Sequence, residues 1–155
     1  MTYADSSCLI SLLSSEPGSE EVVSAYRRLG RPRLAFTPLH EIEVRNGLRL
    51  KAFMEKASVS TAMKAGVERE FAAWEARLSR YLKIGTLIPV AANWHEATGR
   101  ALQLSAAHTR KLGTRSYDIL HVAFALEMNC STFVTIDLRQ AALAKAAGLK
   151  VVLCK

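Results

Sequence analysis

Aspartate is scarce in this chain and its placement is unusual. Of 14 acidic residues only three are Asp, at positions 5, 118 and 137, and the rest are Glu. Asp5 closes the apolar opening Tyr3-Ala4, and Asp137 follows Thr132-Phe133-Val134-Thr135. Asp118 opens the apolar stretch Tyr117 to Met128. If the first two stretches are parallel strands, their aspartates reach the carboxyl edge of a sheet, where ligands of open α/β folds bind. Helix capping competes with chemistry at each position, because Asp is a favoured N-cap. Gln140, three residues after Asp137, even resembles the second half of a capping box.

A fourth carboxylate comes from helical phase. From Thr37-Pro38 a helix starts with Pro at its first position. The apolar stripe read through Leu39, Ile42, Leu50 and Phe53 contains Glu43 and leaves Glu41 on the opposite side. Asn46 and Gly47 continue the face of Glu43. A carboxylate on an inward stripe is costly unless it is paired or holds a metal, and a salt bridge to a core Arg is the competing explanation. Glu41, with Arg45 four residues along, is an ordinary solvated charge. Near these acids stand Ser6, Ser7 and Thr135, able to orient a carboxylate or water but equally ordinary turn residues. His121, one turn beyond Asp118, is expected first as a hydrogen-bonded core residue and second as a partner of the site.

Four carboxylates gathered together repel unless a cation lies among them. All-oxygen donors select Mg²⁺ or Mn²⁺ over zinc or copper. Such ions polarise phosphoryl oxygens and ionise water, and a pair of them holds both ends of an in-line displacement. Asp5, Glu43, Asp118 and Asp137 are therefore the candidate catalytic and metal-holding residues. Arg110, Lys111 and Arg115, just before Asp118, are the candidate RNA contacts, although a basic loop is usually only solvated. The surplus of 21 basic over 14 acidic residues, a net charge of +7, suits a polyanion as partner.

The elements needed to position these residues are legible in outline. Strands are expected at Tyr3-Ala4, Arg33 to Phe36, Thr86 to Val90, Thr132 to Thr135 and Lys150 to Leu153. Between them lie helices from Cys8, from Glu20 with Ser19 as cap, from Pro38, through most of Lys51 to Lys83, and from Asn93 to about His108. Two more follow, a buried one over Tyr117 to Met128 and one from Leu138 ended by Gly148. Phe71, Trp74, Leu78 and Leu82 mark one buried face, Glu16 to Ser19 a turn, and Arg110 to Arg115 a basic loop. Strands alternating with helices indicate an α/β fold, a central parallel sheet flanked by helices on both faces.

The length of 155 residues argues for one domain over 1–155, large enough to fold without a disulfide or structural metal. No apolar run approaches the roughly 20 residues that span a bilayer. The opening Met1 to Asp5 lacks a basic n-region, so neither a membrane span nor a signal peptide is expected. Cys8, Cys130 and Cys154 are odd in number, far apart and among apolar neighbours, as buried thiols of a cytoplasmic protein would be. The four histidines form no HExxH or HxH, and no Cys pair has zinc-site spacing.

Taken in order, these segments resemble the PIN-domain nucleases, and among them the VapC-like toxins of bacterial toxin–antitoxin pairs. Ala4-Asp5-Ser6-Ser7 is similar to the family's opening strand and first acid, and Ile42-Glu43-Val44-Arg45 to its helical glutamate. Ser116 to Ala123 is similar to its third motif. Val134-Thr135-Ile136-Asp137, with Ala141-Ala142 and Gly148-Leu149 after it, is similar to its last. The resemblance runs over nearly the whole chain. It implies a metal-dependent endoribonuclease inhibited by a small antitoxin, whose tail would insert an Arg among the carboxylates. The helices around Leu9–Leu13 and Val22–Leu29 are the expected groove for that tail. The stretch 51–83 carries no motif.

Other classes stand beside this reading. A housekeeping PIN-type RNA-processing nuclease uses the same chemistry. Aspartyl-phosphate hydrolases share an Asp after the first strand but need a second Asp two residues on, where this chain has Ser7. A non-catalytic RNA- or protein-binding module would use the same carboxylates only to cap helices and pair with arginines. A homodimer is compatible with all of these readings.

Overall fold

The computed structural model describes residues 1–14 and 18–154. The turn expected from Glu16 to Ser19 thus falls outside the described residues at Glu16 and Pro17. Five short strands, β1 (Thr2–Ala4), β2 (Leu34–Phe36), β3 (Leu87–Pro89), β4 (Thr132–Thr135) and β5 (Lys150–Leu153), form one sheet in the order β3-β2-β1-β4-β5. All four pairings are parallel, as the alternation of strands and helices requires. Pro89, which has no N–H to donate, sits on the edge strand that tolerates it.

Successive residues of a strand face opposite sides, and the sheet divides its core accordingly. Ala4, Leu34, Phe36 and Val134 face α1 (Ser6–Ser14), α2 (Glu20–Arg28), α3 (Pro38–Ser58) and α4 (Lys64–Lys83). Tyr3, Ala35 and Phe133 face α5 (Trp94–Leu104), α7 (Ser116–Glu127) and α8 (Leu138–Ala146). A short 3-10 turn, Thr61–Met63, divides the long helical stretch after Lys51 into α3 and α4. Trp74 and Leu78 of α4 are buried and Phe71 and Leu82 are half-buried, so the expected face is real but shallow at its ends. Cys8, Cys130 and Cys154 are free and buried. Among the described residues no helix is long and apolar enough to cross a membrane.

Several local expectations need correction. The inward stripe of α3 runs through Leu39, His40, Val44, Leu48 and Ala52. Ile42, Leu50 and Phe53 are instead 65%, 53% and 70% exposed. Apolar residues on both sides of this helix misled the phase, since Ile42 and Phe53 compete with Val44 and Leu48 for the same role. Glu43 still turns inward, beside Val44. Asn46, expected to share its face, is exposed. Ser19 precedes α2 with helical backbone angles and its side chain makes no capping bond. Arg110–Leu112 is a helical turn, α6, reached from α5 through a π-helical stretch at Ser105–Thr109 and ended by Gly113 at φ +64°. Only 113–115 is loop. Leu9, Leu12, Leu13, Val22 and Ala25 are core, so α1 and α2 offer a partner only their rims, Ile10, Val23, Tyr26 and Leu29.

Candidate functional site

Strand register places the first acid. Ala4 lies opposite Val134, and the Asp5 N–H donates to the Val134 carbonyl at 3.0 Å. Asp5 therefore leaves the sheet beside Thr135, whose Oγ1 is 2.6 Å from Asp5 Oδ2 and 2.8 Å from Gln140 Oε1. Asp5 Oδ1 accepts from the Ser7 hydroxyl at 2.9 Å and the Cys8 N–H at 2.7 Å, capping α1. The carboxylate is buried, and these donors hold both of its oxygens.

Asp137 follows β4 and caps α8. Its Oδ1 accepts from the N–H groups of Arg139 (2.7 Å) and Gln140 (3.0 Å), and its own N–H donates to Thr135 Oγ1 at 3.0 Å. Burial works to raise its pKa, but the Gln140 and Arg139 N–H groups and the Arg139 guanidinium outweigh this, and it lies below the ordinary value. Asp118 sits in the first turn of α7, where Oδ2 accepts from the Arg115 N–H at 3.2 Å. Gln140 ties the two helices together, donating from its amide to the Asp118 carbonyl at 3.4 Å. Gln140 thus completes no capping box with Asp137 and works as a buried bridge.

Glu43 arrives from the other side of β1. Its Oε2 accepts from the Ser6 hydroxyl at 2.7 Å and from His121 Nε2 at 2.6 Å. The expected alternative partner, a core Arg, is not what holds it. Burial pushes the Glu43 carboxyl up, yet the His121 and Ser6 hydrogen bonds bring it below the ordinary value. α1 and α3 pack side by side here, with Ile10 Cδ1 2.4 Å from where a Cβ at Gly47 would lie. Gly47 and Ile10 stand one turn beyond Glu43 and Ser6 on the two helices.

The candidate residues thus lie along the carboxyl edge of the sheet, on elements that flank β1. Asp5 and Asp137 both bond Thr135, Asp118 joins them only by its main-chain carbonyl, which accepts from Gln140, and Glu43 accepts from Ser6, the residue after Asp5. Among the described residues no three of His, Cys, Asp and Glu converge closely enough to hold an ion. Each acid is instead engaged in a cap or a hydrogen bond. The donor chemistry nonetheless fits a hard divalent cation, since the four acids offer only oxygen. Asp118 Oδ1 and Glu43 Oε1 also have no protein hydrogen bond among the described residues.

Three residues of this network escaped the sequence reading. Tyr3 is fully buried and its hydroxyl lies 2.7 Å from His121 Nδ1. His40 is fully buried, takes the Thr37 N–H on Nδ1 at 3.1 Å and donates from Nε2 to the Ala4 carbonyl at 2.9 Å. From sequence Gln140 resembles only the second half of a capping box. Of the candidate RNA contacts, Arg110, Lys111 and Arg115 are exposed, and Arg115 immediately precedes α7. Beside the patch, Pro38, Glu41, Ile42, Pro89, Val90 and Ala91 line an open cavity of about 480 Å³ at the ends of β2 and β3.

A family model described as the PIN domain matches residues 2–146. No curated protein matches the sequence. Among solved structures, the crystal structure of FitAcB from Neisseria gonorrhoeae is similar, with a TM-score of 0.62 at 17% sequence identity. The match covers 97% of this chain and 96% of that one. At that identity the likeness is one of fold.

Proposed function

Because the chain belongs to the PIN-domain family, we propose that it is a metal-dependent endoribonuclease, cutting RNA phosphodiester bonds as the toxin of a toxin–antitoxin pair. The observation that carries the reading is the linked set of Asp5, Glu43, Asp118 and Asp137 around the carboxyl end of the central strand. Capping alone does not require that three aspartates and an inward glutamate share one sheet edge, nor that Asp5 and Asp137 both bond Thr135.

Asp5, Glu43, Asp118 and Asp137 would hold Mg²⁺ or Mn²⁺. When bound, such an ion polarises a phosphoryl oxygen and lowers the pKa of water. The residues of the chain do the positioning. Ser7, the Cys8 N–H and Thr135 hold the Asp5 carboxylate in a single orientation. Ser6 and His121 hold Glu43 ionised. Arg110, Lys111 and Arg115 face solvent on the approach to Asp118, where an RNA backbone would lie.

The test is a cleavage assay on purified protein with Mg²⁺ or Mn²⁺, with chelator, and with Asp118→Asn. Asn retains an oxygen that can accept the Arg115 N–H, so the variant should fold normally and lose cleavage. Undiminished cutting by Asp118→Asn would remove Asp118 from the site. A non-catalytic binding module is favoured by one observation, that every acid already has a structural bond. It predicts no rise in melting temperature with Mn²⁺, whereas an ion bound only by the native state raises it.

The toxin role adds a small cognate antitoxin as partner. The rims of α1 and α2 support this through an open cavity of about 360 Å³ whose lining includes Val23, Tyr26, Arg27, Arg31 and Tyr81. Failure of any small partner to co-purify from the native host, with expression harmless to growth, would favour a housekeeping nuclease.

A further inference from the structure

One run of hydrogen bonds passes through the core from Tyr3 to Glu43. It begins at the Tyr3 hydroxyl, passes through the His121 ring at 2.7 Å on Nδ1 and 2.6 Å on Nε2, and ends on Glu43 Oε2. The direction of the proton next to Glu43 follows from its partner. An ionised carboxylate can only accept, so Nε2 carries its proton toward Oε2. Nδ1 shares the other hydrogen bond with the Tyr3 hydroxyl, accepting from it in a neutral ring and donating to it in a charged one, so Nε2 points at Oε2 in either form. Ser6 supplies a second donor to the same Oε2 at 2.7 Å and lies 3.3 Å from His121 Nε2. Oε2 is held from two sides while Oε1 has no protein partner among the described residues.

We propose that Tyr3 and His121 are a positioning pair for Glu43, fixing its carboxylate by one oxygen so that the other is presented to a divalent cation beside Asp5. This rests on reading Glu43 as a metal-holding residue. The pair is packed on more than one side. The His40 ring packs 5.1 Å from His121 and 4.6 Å from Tyr3, and its own Nε2 bond to the Ala4 carbonyl fixes it. Phe133 stacks on the other side of Tyr3 at 5.4 Å.

Packing alone does not require a polar residue at 121. Its buried neighbours on α7 are Ile119, Val122, Ala123, Phe124 and Ala125, where an apolar side chain would fill the same space without a hydrogen-bond demand. The placement is also specific. Tyr3 precedes Asp5 by two residues on β1 and Ser6 follows it by one. The pair therefore ties Glu43, on α3, to the strand that carries Asp5. Any loosening of the chain changes the separation of the two acids, which is what a shared cation would sense.

The experiment measures Mn²⁺ alone by titration calorimetry on the full chain, with the melting temperature recorded for every variant. His121→Leu removes both bonds, His121→Gln restores an N–H donor toward Glu43, and Tyr3→Phe removes only the outer bond. His121→Leu should weaken Mn²⁺ binding by about 10-fold or more, as loss of a partner outside the ligand shell does. His121→Gln should recover most of that affinity, and Tyr3→Phe should lose about 3-fold, in line with one neutral hydrogen bond. A purely structural pair would lower the melting temperature in all three variants while leaving Mn²⁺ affinity at the parent value, and that result overturns the proposal. Should His121→Leu fail to fold, Tyr3→Phe and His121→Gln decide it by the same affinity criterion. Parent protein that binds no Mn²⁺ would overturn the metal reading itself. Parent that binds it, with unchanged affinity in the variants, would overturn only the positioning pair.

Discussion

Glu41 and Glu43 stand two residues apart on one helix and have different environments. Glu41 is exposed and pairs with Arg45 Nε at 2.5 Å, one turn along the same surface. Exposed pairs of this kind contribute little, about 0.3–0.5 kcal/mol. Glu43 is half-buried between Ser6 and His121. Glu43→Gln should therefore reduce cleavage by more than the roughly 10–100-fold typical of partners outside the ligand shell. The amide also cannot accept from both Ser6 and His121 with the nitrogen turned toward them. Glu41→Gln should cut RNA at the parent rate, and a nuclease assay ranking the two variants the other way would refute the assignment. At this scale the placement of the acids was legible, because residue type and position in the chain set it, and their part in cleavage is what these variants test. Tyr3, His40 and Gln140 were not. Their meaning lies in contacts with residues far along the chain, Tyr3 with His121 across 118 positions, which no local pattern encodes.

The first turn of α3 does two tasks for the site. Thr37 and His40 form a capping box, in which Thr37 Oγ1 accepts the His40 N–H at 3.2 Å and His40 Nδ1 accepts the Thr37 N–H. The same imidazole then reaches the Ala4 carbonyl, pinning the helix start to the strand that carries Asp5. Burial, with the nearby His121 charge, lowers the His40 pKa to about 3 from 6.5, so the ring stays neutral. An unfolded His40 binds a proton below pH 6.5 while the folded one does not, so its contribution is full above that pH and is lost on acidification toward 3. Between about pH 7 and pH 4.5 this amounts to about 2–3 kcal/mol. Glu43 and Asp137, with lowered pKa values, act in the same direction but below the ordinary carboxylate range. Urea unfolding at the two pH values should show His40→Gln to be less stable at pH 7 and flatter in its pH dependence by about that amount. An unchanged slope would place the acid sensitivity elsewhere. The existence of this helix and its Pro start were readable from sequence. Its phase was misread because Ile42, Leu50 and Phe53 are apolar yet exposed.

Across the whole molecule, the site gathers where the chain changes direction in the sheet. From β1 the order runs through β2 to β3 on one side and through β4 to β5 on the other. Such a reversal opens a crevice at the carboxyl ends of the strands. Asp5 ends the central strand, Asp137 follows its neighbour β4, and Asp118 begins the helix that leads into β4. Glu43 comes from the helix after β2. Alternating strands and helices made a parallel sheet legible, but strand order depends on long-range pairing, so the gathering around β1 was not.

The same arrangement gives the net charge of +7 a place to act. Arg110, Lys111 and Arg115 are exposed on the turn leading into Asp118, and on the proposed function a phosphate backbone entering the crevice would pass them. Each phosphate neutralised on a single strand contributes about −0.7 to the slope of log affinity against log salt. Replacing all three with Ala should therefore make the slope shallower by about 2 for a single-stranded RNA. Because none of the three supplies a carboxylate, the rise in melting temperature with Mn²⁺ should persist in the variant. Fluorescence anisotropy at a series of salt concentrations reads the slope. If it stays at the parent value while Mn²⁺ still stabilises the protein, the RNA approaches by another face of the crevice, and the cavity beside Ile42 and Pro89 is the surface that the strand would follow.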